Sequence, residues 1–128
     1  MPEPAFLTLA EVDYLHRQSI QRFGGDNGIR DAGLIQSAIG SAWNAWSYGG
    51  GDLFAVAAAY AFHLAEAQAF LDGNKRTGAA AALAFLRKNG LPVIADDGSL
   101  YAGMIAIAEK RLDKTGLAAV LRRLTPPT

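Results

Sequence analysis

The sequence contains no cysteine. Disulfides, thiolate nucleophiles and Cys-ligated zinc or iron–sulfur centres are therefore excluded, and a reducing compartment is compatible with the composition. Long hydrophobic runs are missing too: the apolar runs that include residues 55–62 and 79–86 fall far short of the ~18 residues that would indicate a membrane span. No Lys or Arg precedes Arg17, and Glu3 stands near the start, so a secretory signal would lack its positive opening. The expected location is cytoplasmic. Net charge is absent as well: 12 Lys and Arg balance 12 Asp and Glu. Broad electrostatic binding to nucleic acid needs an excess of cations, so any basic site must be local. Positive charge concentrates at Lys75-Arg76, Arg87-Lys88 and Arg122-Arg123.

What is present is 128 residues, 51% of them hydrophobic, enough for one domain spanning 1–128 with an ordered core over residues 8–125 and a frayed tail from Thr125 to Thr128. The spacing of apolar residues predicts an all-α fold of five to six helices. Thr8-Leu9-Ala10-Glu11 is a capping-box pattern opening a helix whose apolar face carries Leu9, Val12, Leu15 and Phe23, until Gly24-Gly25 stops it. Asp31 is placed to cap a second helix ending near Trp46, and Arg30-Asp31 reads as an ion pair ordering the loop before it. Asp52 caps a third, strongly apolar helix with Leu53, Val56, Tyr60, His63, Ala67 and Phe70 on one face. It should break at Leu71-Asp72-Gly73-Asn74. A fourth helix carries Ala79, Ala82, Leu83 and Leu86 on one stripe and ends at Gly90. Residues 92–95 read as a short extended piece, and Ser99 and Asp113 begin two closing helices.

Chemistry concentrates in the tight loop between the two central helices, where Asp72, Gly73, Asn74, Lys75 and Arg76 follow one another. The helix starting near Asn74 leaves its first N–H groups without partners, and with the helix dipole this favours an anion at its mouth. Arg76 adds a planar fork suited to phosphate oxygens and Lys75 a point charge. The expected ligand is a phosphate chain, with Asp72 as a direct or water-mediated ligand of Mg²⁺. The spacing is not that of a Walker A loop. Asp-Gly-Asn is also ordinary turn chemistry, so a purely structural bend with two solvated cations stays open at this point.

The same residues carry a resemblance. Phe70-Leu71-Asp72-Gly73-Asn74-Lys75-Arg76-Thr77, followed by Phe85-Leu86-Arg87-Lys88-Asn89-Gly90, resembles the core motif H-x-F-x-[D/E]-x-N-K-R of the Fic/Doc (Fido) family, in its death-on-curing branch. Phe23-Gly24-Gly25 through Gly28-Ile29-Arg30-Asp31, with Leu34 and with Asp52-Leu53-Phe54, extends the likeness over most of the chain. The resemblance implies a compact helical domain with Asp72 binding Mg²⁺ and Gly73, Asn74, Lys75 and Arg76 holding the phosphates of ATP or another nucleoside triphosphate. It implies transfer of AMP or, in this branch, a phosphoryl group to a hydroxyl of a protein target, with Lys75 marking the death-on-curing variant. The implied partners are a cognate antitoxin and a protein of the translation machinery. Direct nucleic-acid binding and membrane attachment are not implied. Residues 48–51 would sit near a target-docking flap.

One position departs from that pattern. Gln68 stands where the motif has its histidine, the base that takes the proton from the target hydroxyl. Glutamine donates and accepts hydrogen bonds but has no pKa in the useful range. Two readings follow: a toxin that still transfers a phosphoryl or adenylyl group, slowed by Gln68, or an inactive module of the same fold that binds nucleotide and antitoxin. His63 and His16 read as buried histidines satisfied by neighbours, Glu66 as a solvated or capping carboxylate, and Trp43 and Trp46 as core or flap packing. A DNA-reading helix after Gly73 is disfavoured, because residues 78–86 are almost wholly apolar.

Overall fold

The computed structural model describes residues 3–50, 52–93 and 98–126. Six helices follow one another there: α1 (Leu9–Phe23), α2 (Ala32–Tyr48), α3 (Leu53–Ala67), α4 (Asn74–Lys88), α5 (Ser99–Ala108) and α6 (Lys114–Arg123). Among the described residues no strand occurs, only an isolated antiparallel bridge between Ile29 and Phe70. The architecture is the all-α one that the sequence spacing predicts. Among the described residues no helix is long and apolar enough to cross a membrane.

Four helices start where a side chain satisfies an orphan N–H group. Thr8 and Glu11 form a complete capping box at α1, with bonds of 3.1 and 2.9 Å. Asp31 accepts from the N–H groups of Gly33 and Leu34, Asp52 from Phe54, and Asp113 from Gly116. The carboxylate of Asp31 is thus a helix cap, and no ion pair with Arg30 forms among the described residues. Asp52 also receives Arg122 at 2.9 Å, which ties the end of α6 to the start of α3.

The core forms around α3. Every residue from Val56 to Ala61 is buried, as are Leu64 and Ala65. A helix that is apolar all round needs neighbours all round, and α2, α4 and α6 supply them. Alanines on α3 let those helices approach closely. The tightest approach is at Gly78 of α4, where an added methyl would lie 2.6 Å from the Ala61 carbonyl oxygen and 3.2 Å from Met104 Cε. Gly78→Ala is therefore expected to destabilise the protein. Alanine is the better helix former by ~1 kcal/mol, but an overpacking cost of ~1–3 kcal/mol should win. The check is the midpoint of chemical denaturation, and an unchanged or raised midpoint would show that α3 and α4 separate freely there.

The segment before α1 is strapped over this core. Leu7 N–H donates to the buried Tyr60 hydroxyl at 2.9 Å, and the Asn89 side chain brackets Ala5 with two bonds. Burial pushes the Tyr60 hydroxyl up to about 12, so the acceptor of the Leu7 bond keeps its proton at neutral pH.

Several sequence expectations need correction. α2 runs past Trp46 to Tyr48, and α3 stops at Ala67 rather than at Leu71. Gln68 turns left-handed there (φ 53°, ψ 39°), which frees Ala69 to Leu71 for pairing with the loop before α2. The Ala69 carbonyl accepts from Arg30 and Asp31, and Leu71 N–H donates to Gly28. Phe70 is buried as expected, but from this extended turn and not from a helix face. Phe23, assigned to the apolar face of α1, is 61% exposed. His63 is half-buried rather than buried. Trp43 is exposed, whereas Trp46 packs against the core. Pro92 and Val93 form no strand, and the remainder of that predicted extended piece, like Gly51, Pro127 and Thr128, lies outside the described residues.

Candidate functional site

The turn between α3 and α4 is shaped by Asn74. Its side chain is buried and folds back on the turn: Oδ1 accepts the Phe70 N–H at 3.1 Å, while Nδ2 donates to the Phe70 carbonyl at 3.0 Å and to Gln68 Oε1 at 3.4 Å. The amide thus braces the turn, leaving only the main-chain N–H of Asn74 for a ligand. Gly73 precedes α4 with φ 75°, a left-handed conformation that other residues rarely adopt, and offers no side-chain cap. The first main-chain bond of α4 runs from Thr77 N–H to the Gly73 carbonyl at 2.9 Å. The N–H groups of Asn74, Lys75 and Arg76 are therefore left without partners among the described residues. An uncapped helix start of this kind attracts anions.

A cavity of about 390 Å³ opens at this point, lined by Gln68, Leu71, Asp72, Gly73, Asn74, Lys75, Arg76 and Tyr101. All six residues singled out by the sequence meet in it. Asp72 Oδ1 accepts the Gly73 N–H at 3.0 Å and Oδ2 the Asp26 N–H at 3.3 Å. The approach is close: a methyl on Gly25 would lie 2.5 Å from Asp72 Oδ2. Arg76 is braced from the other side of the turn. Its Nη2 donates to the Gly24 carbonyl at 3.1 Å, and its guanidinium lies 5.3 Å from the centre of the Phe23 ring. Arg22 lies 5.4 Å from the same ring. The exposure of Phe23 thus has a use, since a phenyl face attracts and orients guanidinium groups. Lys75 has no ion-pair partner among the described residues.

Tyr101, from α5, is a wall residue that nothing in the local sequence pattern indicates. It reaches the cavity only through the packing of α5 against α4. His16 is the other omission. It is fully buried, as expected, but the neighbour that meets its Nε2 is the motif turn itself, through the Asp72 carbonyl at 2.8 Å. A histidine on the apolar face of α1 was the available signal.

Gln68 caps α3 at the rim of the cavity. Its Nε2 donates to the Ala65 carbonyl at 2.9 Å and its Oε1 accepts from Asn74, so the side chain is oriented from both ends. His63 does not line the cavity; its Nε2 lies 3.1 Å from Lys114 Nζ on α6. Burial holds that imidazole below its ordinary range, and the Lys114 charge lowers it further against an opposing pull from Glu66. Glu66 is exposed, as expected, and also lies outside the cavity lining. Neither group substitutes for a base at position 68. Tyr48, at the end of α2, is 84% exposed.

Among the described residues no three His, Asp or Glu side chains gather into a self-sufficient metal cluster. Asp72 alone presents a carboxylate to the cavity. That donor set fits Mg²⁺, which typically takes one or two carboxylates and completes its shell with waters and substrate phosphates.

The sequence profile of the Fic/DOC family matches residues 6–86. The chain is 36% identical over 115 residues to the protein named Protein kinase doc of Escherichia phage P1, covering 89% of this chain and 90% of that protein. It is 39% identical over 93 residues to the protein named Toxin Doc of Mycolicibacterium smegmatis, covering 66% of this chain and 71% of that protein. With the motif turn, its free N–H groups and the two flanking cations held around one cavity, the profile and these identities place this chain in the Fic/DOC family.

Proposed function

We propose that this chain is a death-on-curing-type toxin that transfers a phosphoryl group from a nucleoside triphosphate to a hydroxyl group of a protein. The observation that carries the reading is that Asp72, Lys75 and Arg76 line one cavity at the first turn of α4, whose Asn74, Lys75 and Arg76 N–H groups have no partner among the described residues. Phosphoryl transfer gains most of its acceleration from positioning and charge stabilisation rather than from covalent chemistry. The phosphates lie against the start of α4, with Arg76 presented by Phe23 and Gly24. Asp72 would hold Mg²⁺, which neutralises phosphate charge when bound. The target hydroxyl approaches at Gln68, whose oriented amide holds it by a hydrogen bond. Its oxygen forms the bond to the γ-phosphorus as the bond to the bridging oxygen breaks. The nucleoside diphosphate leaves, and the hydroxyl proton passes to water or to a phosphate oxygen.

The cognate partner in this reading is an antitoxin, and the target belongs to the translation machinery. Gln68 supports a second reading, in which the fold binds nucleotide and antitoxin without turnover, because general-base catalysis worth ~10²–10⁴-fold is missing. Incubation with γ- and α-labelled ATP in a cell extract separates the cases. Label from the γ position in a protein supports phosphoryl transfer, and label from the α position replaces it with adenylyl transfer. No label, with magnesium-dependent ATP binding measured by calorimetry, supports the binding module. No label and no heat of binding overturns both readings.

A further inference from the structure

His16 is 0% exposed, yet it is not an ordinary core residue. Its ring stacks on Phe70, with centroids 3.8 Å apart and planes within 11°. Its Nε2 lies 2.8 Å from the Asp72 carbonyl oxygen. A carbonyl can only accept, so Nε2 carries the proton and donates. The other ring nitrogen, Nδ1, is buried without a partner. Stability alone would favour an apolar side chain here, because a buried polar atom left unpaired is costly. A flat ring that also donates at its far end is what this position requires, and imidazole supplies both.

The bond falls one residue before the left-handed glycine of the turn. Gly73, next along the chain, is the residue with the greatest backbone freedom, and it separates the Asp72 carboxylate from the free N–H groups of α4. Among the described residues the Asp72 carboxylate is braced only by the main-chain N–H groups of Gly73 and Asp26, both from exposed or half-exposed segments. Among the described residues the bond from His16 is the one anchor of Asp72 supplied by a buried side chain. We propose that His16 is a positioning residue of the nucleotide site, its Nε2–H bond to the Asp72 carbonyl and its stack on Phe70 holding the Asp72-to-Arg76 turn in binding shape. The inference rests on the nucleotide-binding reading above.

The test compares His16→Phe, which keeps a ring against Phe70 and removes the donor, with His16→Gln, whose amide nitrogen reaches about as far as imidazole Nε2. Hydrogen exchange at residues 72–77 and calorimetric affinity for magnesium ATP are measured beside the melting temperature. The Phe variant is expected to stay folded, to exchange the turn amides faster, and to bind magnesium ATP ~10-fold more weakly or worse. The Gln variant is expected to recover both properties, which a purely space-filling role would not permit. Unchanged exchange and affinity in the Phe variant, or their loss without recovery in the Gln variant, overturns the proposal. If the Phe variant does not fold, His16→Met takes its place under the same criteria. If the starting protein binds no ATP, the nucleotide reading fails, and hydrogen exchange alone then decides whether His16 holds the turn.

Discussion

Gln68→His is expected to raise the rate of transfer to a protein hydroxyl by ~10²–10⁴-fold, the usual worth of a placed general base. The backbone at this position accommodates the exchange. Gln68 sits in the left-handed region with φ 53°, a conformation that histidine tolerates better than most side chains. Its present partners are a carbonyl oxygen on one side and the Asn74 amide on the other, so a neutral imidazole can donate to Ala65 and leave its second nitrogen toward the cavity. The gain carries a pH signature. The imidazole accepts a proton only when neutral, so the added rate is full above its pKa, ordinarily ~6.5, and disappears as the solution is acidified through that value. Glutamine does not titrate, and the starting protein lacks this acidic limb. Rates of γ-label transfer from pH 5 to 8 (approximate range) for both forms check the claim. A gain that is absent, or that is flat with pH, would mean that position 68 does not face the reacting hydroxyl.

The parts of this molecule that a sequence reveals are those decided within a few residues. Thr8 with Glu11, Asp31, Asp52 and Asp113 were each readable as helix starts, because a cap is a bond between neighbours. The α4 start was readable from the Asp72-Gly73 turn that breaks the chain before it, and with it the uncapped N–H groups and the two cations of the site. Phe70 and Phe23 were not. Their apolar spacing continues the period of α3 and α1, yet their surroundings come from far along the chain. Phe70 leaves the helix to pair with Ile29 and to stack on His16, and Phe23 faces outward to receive Arg76. Periodicity reports which residues are apolar and not whether the helix reaches them. Tyr101 and His16 escaped for a related reason, since each joins the site through tertiary packing that no local motif encodes. The departure at Gln68 was legible only because the resemblance supplied a pattern to depart from.

Arg76→Ala should weaken nucleotide binding ~10–100-fold, since a charged group donating to phosphate is worth ~1.5–3 kcal/mol. Its cost to folding is expected to be small. The guanidinium makes one bond to the exposed Gly24 carbonyl, which water can replace, and one contact with the Phe23 ring worth ~0.5–1 kcal/mol at such a site. The separation between a large loss of affinity and a small loss of stability is the signature of a ligand-holding residue. Arg76→Lys should recover only part of the affinity, because an ammonium keeps the charge but loses the planar fork and the ordered stack on Phe23. Arg122→Ala supplies the control for charge in general: it removes the same charge from a place where the guanidinium is paired with Asp52 and packed on Phe54, outside the motif cavity. Calorimetry with ATP in magnesium buffer, run on the three variants beside their melting curves, decides the matter. Equal losses at Arg76 and Arg122 would reduce the effect to net charge, whereas a loss confined to Arg76 and partly restored by lysine requires the phosphate to lie against the first turn of α4.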